Sequence, residues 1–226
     1  MNEPKIEWMN IIPQWLTAIG TVLAVIVALF QKMIRDRINR PKIEMSYIDN
    51  KQCCVEVNPD VESGDASKQL RLRIKLENKG NYMATHAALY VDCFYKKRSS
   101  EGSFVINEIT PKQIKDYRNA KPSSIAPHLL YYFDVAAVNK YESMTTQDEN
   151  GQTKQFYKLY LLGEGEATEL GRGTFIIPLK FYSSRIDVKI SYLKVFWDSD
   201  SYSLDKQVFS VEMLTEKEFN KLQIAK

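Results

Sequence analysis

The feature that constrains this chain most is an uncharged run near its N-terminus. No charged residue occurs from Trp8 to Gln31, and the most apolar part extends from Trp15 to Phe30. The run gives roughly 23 residues, enough for a helix to cross a hydrocarbon core of about 30 Å at about 1.5 Å per residue. The sequence therefore predicts a membrane-spanning helix over about 8–31.

Two other interpretations of this run are possible in principle. A signal peptide has a shorter apolar region that ends in small residues at a cleavage site, whereas this run ends at Phe30 and Gln31. A buried helix in a soluble protein needs apolar partners on every side, and no second long apolar run follows. Pro13 suits the first turn of a helix that starts near Ile12. These comparisons favour a membrane anchor.

The charges on the two sides of the span predict its direction. Four basic membrane-flanking residues follow it, namely Lys32, Arg35, Arg37 and Arg40. Lys5 is the single basic side chain before it. Because the basic side stays in the cytoplasm, we expect a single-pass membrane protein with its N-terminus outside; the resemblance described below implies the cell inner membrane. The basic segment should continue the helix until Pro41 stops it, and its cations should hold anionic lipid headgroups.

Small residues recur every four positions in the span. Gly20, Ala24 and Ala28 share one face, beside Thr17 and Thr21. Small residues at this spacing allow two helix backbones to approach closely in lipid. The pattern predicts a homo-oligomer through the membrane helix, although Gly and Ala are common in such helices for other reasons.

The hydrophobic period changes to two after Pro41. In the segment QLRLRIKLE (69–77), apolar residues alternate with charged ones, as in a half-buried antiparallel strand. One face holds Leu70, Leu72, Ile74 and Leu76, and the other holds Arg71, Arg73, Lys75 and Glu77. We therefore divide the chain into an anchor with a basic juxtamembrane helix (1–40) and a cytosolic β-domain (41–226).

Further segments with the same period predict seven to nine strands in all. Leu89, Val91 and Cys93 should share one face of a strand, and Pro178 should mark an edge strand or a bulge. Helices are expected only near 111–119 and in the tail, where Thr215 and Glu218 match a capping box. The fold class is mainly β, with an antiparallel sandwich or barrel and one N-terminal transmembrane helix.

Short motifs support a resemblance to one group of proteins. The chain contains W-x-T-A-I-G-T over Trp15–Thr21, a basic exit ending in R-P-K at Arg40–Lys42, and a turn N-K-G-N at 78–81. The turn resembles the B–C corner of immunoglobulin-like domains. Together the motifs resemble uncharacterised bacterial single-pass membrane proteins with a cytosolic immunoglobulin-like β-domain. The resemblance implies that fold and location, and it brings no catalytic residue with it.

The residue content argues against several kinds of chemistry. The net charge of +3 is too small for a general DNA- or RNA-binding protein. Cys53, Cys54 and Cys93 form neither a disulfide framework nor a metal-ligand spacing with His86 and His128. The glycine-rich segment 162–173 leads into a strand and is read as a hairpin turn, not as a phosphate loop. We expect no enzyme activity, no cofactor and no metal site.

One charged row remains as a candidate ligand site. Arg71, Arg73 and Lys75 lie about 7 Å apart along one strand face, where they could bind the phosphates of a nucleotide. They could equally form a solvated face that prevents aggregation. Basic residues 96–98 would extend the row if the two strands paired.

Two functions are consistent with these features. The first is a membrane-anchored cytosolic sensor or interaction protein that binds a small ligand or a protein partner. The alternative is an oligomerising membrane effector of a bacterial antiviral defence system, gated by a nucleotide signal and disrupting the membrane. Such effectors are similar in layout, with a short membrane part and a cytosolic part that recognises a ligand.

Overall fold

The computed structural model describes residues 8–48, 54–57, 69–98, 102–116, 124–147, 153–184, 186–198, 209–222 and 224–225. The helices are α1 (Trp8–Ile38) and α2 (Glu216–Phe219). The first strands are β1 (Ile43–Ser46), β2 (Cys54–Val57), β3 (Gln69–Asn78), β4 (Ala84–Thr85), β5 (Ala88–Lys97), β6 (Phe104–Ile114) and β7 (Ser124–Ile125). The others are β8 (Leu130–Gln147), β9 (Thr153–Leu161), β10 (Thr168–Gly171), β11 (Gly173–Ser183), β12 (Ile186–Trp197), β13 (Phe209–Leu214) and β14 (Ile224–Ala225).

The helix α1 contains one stretch, Pro13–Gln31, that is long and apolar enough to cross a membrane. The helix begins at Trp8, several residues before the predicted start, so Pro13 lies inside it and not in its first turn. It ends at Ile38, and the boundary between the two compact units of the chain falls between Arg40 and Pro41. Pro41 disfavours helical backbone in the residue before it, which is consistent with this end.

The second unit contains two six-stranded sheets. The first has the order β1-β3-β8-β9-β10, and β2 pairs with β3 beyond the end of β1. The second has the order β13-β12-β11-β5-β6-β14, in which only the short β14 pairs in parallel. A short pair, β4 and β7, is separate. The mainly antiparallel β class predicted from the sequence is confirmed, whereas the immunoglobulin-like arrangement stays a prediction.

Both large sheets contribute side chains to one apolar core. Ile74 and Phe133 of the first sheet and Phe175 and Phe181 of the second belong to the same buried cluster. Trp197 is also fully buried, and its indole Nε1 donates a hydrogen bond to the carbonyl of Tyr157, 3.0 Å away, in the other sheet. A buried indole N–H needs such a partner, so this bond fixes the position of the largest core side chain.

One predicted helix is contradicted over the part of it that the structure describes, and the other is present. The segment near 111–119 is not helical in its described part, because β6 continues to Ile114, which pairs with Leu89 and is buried in the core. The long-range pairing outweighs local helix propensity there. The tail helix α2 is confirmed with its capping box: Thr215 Oγ1 accepts from the Glu218 N–H at 3.3 Å, and Glu218 Oε2 accepts from the Thr215 N–H at 2.7 Å.

Two strands depart from simple alternation. The pairing of β5 with β6 shifts register between Val91 and Cys93, so Phe94 is buried and Cys93 is only half-buried. The prediction that Cys93 shares the core face of Val91 is therefore wrong. Pro178 lies on β11 between β12 and β5, which contradicts an edge strand. The register of β11 against β5 shifts between Ile176 and Lys180, so Pro178 lies in an irregular stretch, but the extra residue is on β5 and not on the strand of Pro178.

A candidate ligand-binding cleft

A polar cleft opens beside the outer face of the first sheet. Its volume is about 130 Å³. Its lining residues carry two cations, two carboxylates and a short piece of loop: Arg71, Lys115, Asp116, Asp134, Leu162 and Gly163. They come from β3, β8, the residues after β6 and the connection between β9 and β10. Small-ligand pockets usually enclose about 300–1,000 Å³ and are mostly apolar, so this smaller, charged cleft suits one polar group of a ligand.

Asp134 of β8 lines this cleft directly before a bulge in the strand. Leu72 pairs with Ala136, but Arg73 pairs with Asp134, so Val135 is an extra residue on β8. The carbonyl of Val135 accepts a hydrogen bond from the N–H of Leu162 at 2.8 Å. Phe133 pairs with Ile74 in the core, so Asp134 lies on the opposite face beside Arg73. The carbonyl of the bulge residue holds the loop that forms another wall of the cleft.

Asp134 pairs with two arginines of the neighbouring strand. Its Oδ2 atom accepts from Arg71 Nη1 at 3.0 Å, and its Oδ1 atom accepts from Arg73 Nε. The carboxylate is only 7% exposed, so its charge depends on these two cations for compensation. The two pairs keep both guanidinium groups directed along the sheet surface instead of free in solvent.

The connection between β9 and β10 is held against β6. The N–H of Glu164 donates to the carbonyl of Gln113 at 2.9 Å, and the buried Lys112 donates from Nζ to the carbonyl of Glu166. Gly163 has a φ of +149°, and a Cβ at this position would lie 2.8 Å from the Cβ of Lys112. Only glycine allows so close an approach of the two segments. The expected hairpin turn in 162–173 is confirmed by the antiparallel pairing of β9 with β10.

The residues after β6 complete the cleft. Asp116 is buried and forms an isolated bridge with Phe133, next to Asp134 in the chain. Lys115 is partly exposed, and no ion pair of its amine is present within the part of the chain that the structure describes. Lys115 and Arg71 are the two cationic residues that line the cleft, and Arg71 is oriented by Asp134.

The three cations of the predicted row share one strand face, but they do not all line the cleft. Arg71, Arg73 and Lys75 do lie on one face of β3, but only Arg71 lines the cleft. Lys75 pairs with Glu77 at 3.2 Å on its own strand. Residues 96–98 do not extend the row, because β5 belongs to the other sheet and pairs with β6 and β11. Phosphate binding by the whole row stays a prediction.

Sequence analysis missed Lys115, Asp116, Asp134 and Gly163. Asp134 was visible as the single charge in the apolar segment LYYFDVAAV (130–138), because a charge in a buried strand needs a partner. Lys115 and Asp116 lie in the segment read as a helix. Nothing in the sequence brings them near Arg71, because the contact joins strands that are distant along the chain.

The residues predicted for helix association lie on the exposed surface of α1. Gly20, Ala24 and Ala28 are all exposed, and nothing lies within 4 Å of a Cβ built on Gly20. Thr17 and Thr21 donate their hydroxyls to the carbonyls of Pro13 and Thr17, each at 2.8 Å. Of the basic flank, Arg40 is exposed, and the side chains of Lys32, Arg35 and Arg37 lie outside the described residues.

A metal or thiol centre is not indicated in the described ranges. No group of three or more His, Cys, Asp or Glu residues comes together there in a way that could hold a metal ion. Burial, reinforced by the neighbouring Asp92 carboxylate, raises the pKa of the Cys93 thiol to about 11. A thiol with so high a pKa is largely protonated at neutral pH and is a weak nucleophile.

Comparison with known proteins identifies no relative that would assign a role to these residues. No protein-family model matches the sequence, and no curated protein matches it significantly.

Proposed function

We propose that this protein is a membrane-anchored, non-catalytic binding protein whose cytosolic β-domain recognises a small ligand with an anionic group. The observation that carries the proposal is the position of Lys115 and Arg71 in one cleft, with Arg71 oriented by Asp134. Cations of this kind bind phosphate and carboxylate groups through charge-assisted hydrogen bonds.

The size of the cleft limits what enters it. A volume of about 130 Å³ lies below the roughly 300–1,000 Å³ that is usual for pockets that enclose a whole small ligand. It accommodates one phosphate or carboxylate group, and the rest of the ligand extends outward. Asp116 and Asp134 disfavour a second negative group deep in the cleft. A nucleotide monophosphate or a cyclic nucleotide meets these requirements better than a polyphosphate.

Thermal unfolding of the full chain in nanodiscs tests the proposal. The panel contains inorganic phosphate, nucleoside monophosphates, cyclic mono- and dinucleotides, and small carboxylates. A ligand present at about 100 times its dissociation constant stabilises the folded state by about 2.7 kcal/mol. We expect at least one phosphate-bearing ligand to raise the unfolding temperature. Absence of a shift across the panel would contradict the proposal.

A pair of lysine variants gives the control. Lys115→Met removes one of the two cleft cations, and we expect it to weaken binding about 10-fold or more, since a hydrogen bond to a charged group contributes about 1.5–3 kcal/mol. Lys97→Met removes an exposed lysine outside the cleft and should leave binding unchanged. Equal affinities of the two variants would place the ligand elsewhere.

The anchor supports the location in this proposal. A helix with an apolar stretch at Pro13–Gln31 and basic residues after it is expected to insert with its C-terminal end in the cytoplasm. We propose the inner membrane of a bacterium on the resemblance described above. In this location the β-domain would report a soluble signal, or hold a protein partner, at the cytosolic surface.

A second candidate function is an oligomerising membrane effector gated by a nucleotide. It is supported by the exposed face of Gly20, Ala24 and Ala28, beside which Thr17 and Thr21 use their hydroxyls within the helix. The side chains of this face are small, and its hydroxyl groups already have hydrogen-bond partners within the helix. A second helix could therefore pack closely against it. Gly20→Leu with Ala24→Leu should abolish ligand-triggered leakage from proteoliposomes, whereas Val22→Leu on another face should not. Leakage that survives the double substitution would contradict assembly through this face.

A further inference from the structure

The end of the β-domain that follows α1 carries an exposed apolar surface. Tyr82 and Met83 lie in the turn after β3, and Leu129 and Leu130 lie at the start of β8. Their exposed fractions are 38%, 46%, 53% and 49%. Scattered exposed apolar residues need no explanation, but a group on adjacent turns indicates an interaction site. We call these four residues the apolar tip.

Asn78 holds the two turns of the apolar tip together. It is completely buried, and its Nδ2 atom donates to the carbonyls of Tyr82 at 2.6 Å and Ile125 at 3.1 Å. Its own carbonyl accepts from the N–H of His128 at 2.7 Å. His128 reaches this position with a φ of +58° and contacts Asn81 through Nε2. The side chains of the tip are therefore presented by a cross-linked pair of turns.

The same asparagine also holds the first residues of the domain. Its Oδ1 atom accepts from the N–H of Lys42 at 3.1 Å, and the carbonyl of Lys42 accepts from the N–H of Lys79 at 2.8 Å. The apolar tip thus lies at the point where the chain enters the domain. The apolar stretch of α1 ends at Gln31 and the helix ends at Ile38.

The length of chain between these points places the tip close to a bilayer. Seven residues of helix after Gln31 rise about 10 Å, and the four further steps from Ile38 to Lys42 add at most about 14 Å. The headgroup region on each side of the hydrocarbon core is itself about 5–8 Å deep. With α1 inserted, Lys42 therefore stays within roughly 25 Å of the hydrocarbon, whatever orientation the domain takes.

The charges around the tip match an anionic surface. Lys42 is exposed, and Lys79 is half-exposed while it pairs with Glu44. Arg40 precedes them in the chain and is also exposed. Exposed aromatic and aliphatic side chains bordered by lysines and arginines are the composition that binds the interface of anionic membranes.

We propose that the apolar tip inserts into the cytosolic headgroup layer of the membrane that α1 anchors, and so fixes the orientation of the β-domain on the lipid surface. This rests on the membrane insertion of α1 proposed above. The surface adds a second contact with anionic phospholipid, and it gives the domain a defined orientation that a single helix and a short connection would not impose.

Quenching by brominated lipid tests this surface in the full chain. The background variant carries Trp8→Phe and Trp15→Phe, and its emission, which comes from the buried Trp197, is subtracted from that of the reporter variants. Leu129→Trp reports on the tip. The matched control is Ile106→Trp, because Ile106 is 44% exposed but pairs with Tyr95 near the other end of β5. A third protein, Trp8→Phe alone, keeps Trp15 as a reporter of the span.

In vesicles of brominated phosphatidylcholine and phosphatidylglycerol we expect the L129W emission to fall by roughly twofold, as for a side chain buried about 5–10 Å in the interface. The I106W emission should not change. If Trp15 is quenched and L129W is not, the surface proposal is wrong and the anchor stands. If Trp15 is not quenched either, both the lipid contact of the apolar tip and the membrane insertion of α1 are wrong. Equal quenching of L129W and I106W would also contradict the proposal, because it would show that lipid contact is not confined to the apolar tip.

Discussion

The Arg71 guanidinium and the Asp134 carboxylate meet across neighbouring strands, with Nη1 and Oδ2 3.0 Å apart. Because Asp134 is nearly buried, its removal leaves Arg71 and Arg73 without their shared counter-charge. Breaking a buried pair costs about 3–5 kcal/mol, and the partial exposure of Arg71 places this one at the lower end, about 3 kcal/mol. We expect Asp134→Asn to lower the free energy of unfolding in urea by this amount.

The matched control for that measurement is an exposed pair in the other sheet. Glu212 and Lys194 pair across β12 and β13 at 3.1 Å, with both side chains well exposed. Glu212→Gln should change stability by no more than about 0.5 kcal/mol, because solvent screens such pairs. Similar effects of the two substitutions would show that Asp134 is not a buried ionic centre.

Gly163 allows the closest approach between the loop and β6. Gly163→Ala places a Cβ 2.8 Å from the Lys112 Cβ, so backbone must move, and we expect a loss of about 1–3 kcal/mol. Gly165→Ala is the control, because its φ is also positive but nothing lies within 4 Å of the added atom. Its cost should be about 1 kcal/mol, from the backbone alone. Equal losses in chemical unfolding would refute a steric role for Gly163.

Cys93 should be a slow nucleophile in the folded protein. Burial raises its pKa from the ordinary 9.0 to about 11, so its thiolate fraction at pH 8 is about 100-fold lower than in the unfolded chain. In a Cys53→Ser, Cys54→Ser background, we expect iodoacetamide to modify the native protein far more slowly than the urea-unfolded protein. Equal rates, measured by mass spectrometry, would contradict the burial of this thiol.

The same shift predicts how stability depends on alkaline pH. The folded pKa of Cys93 is raised, so the unfolded chain ionises first as the pH rises from 9 towards 11. The contribution of the Cys93 thiol to the free energy of unfolding is intact below pH 9 and is lost as the pH rises through that window. Cys93→Ala should flatten this part of the stability curve, and Cys54→Ser serves as the comparison. An unchanged alkaline slope would assign the loss to other groups.

The charge distribution predicts the topology of the span. In cells that express the full chain, native cysteines of the β-domain should be protected from a membrane-impermeant maleimide until the membrane is permeabilised. A cysteine-free variant with Asn2→Cys should be labelled in intact cells, because the less basic side faces outward. The reverse labelling pattern would invert the proposed orientation.

Local sequence patterns were sufficient to predict the structure where the interacting residues are close together in the chain. The alternation in β3 predicted which residues are buried, from Leu70 to Leu76, because a strand places successive side chains on opposite faces. Thr215 and Glu218 predicted the cap of α2, because the two bonds involve residues only three positions apart. Both features depend on neighbours in the sequence.

Local patterns failed where pairing with a distant strand shifts the alternation. Cys93 leaves the core face, and Lys112 enters it, because the register of β5 against β6 changes between Val91 and Cys93. The bulge at Val135 is a similar case, because it lets two successive residues, Val135 and Ala136, both enter the core. A bulge depends on the partner strand, so no period in one segment reports it.

The sequence by itself determined the apolar span, the division near Pro41 and the mainly β character of the rest, because hydrophobic period and charge act over a few residues at a time. Only the tertiary structure decided that Arg71 meets Lys115 and Asp134 in one cleft, and that Asn78 joins two turns beside Lys42. These contacts join residues that are distant in the chain. Their geometry follows from strand order and register, which bring separate segments together only when the whole core is packed.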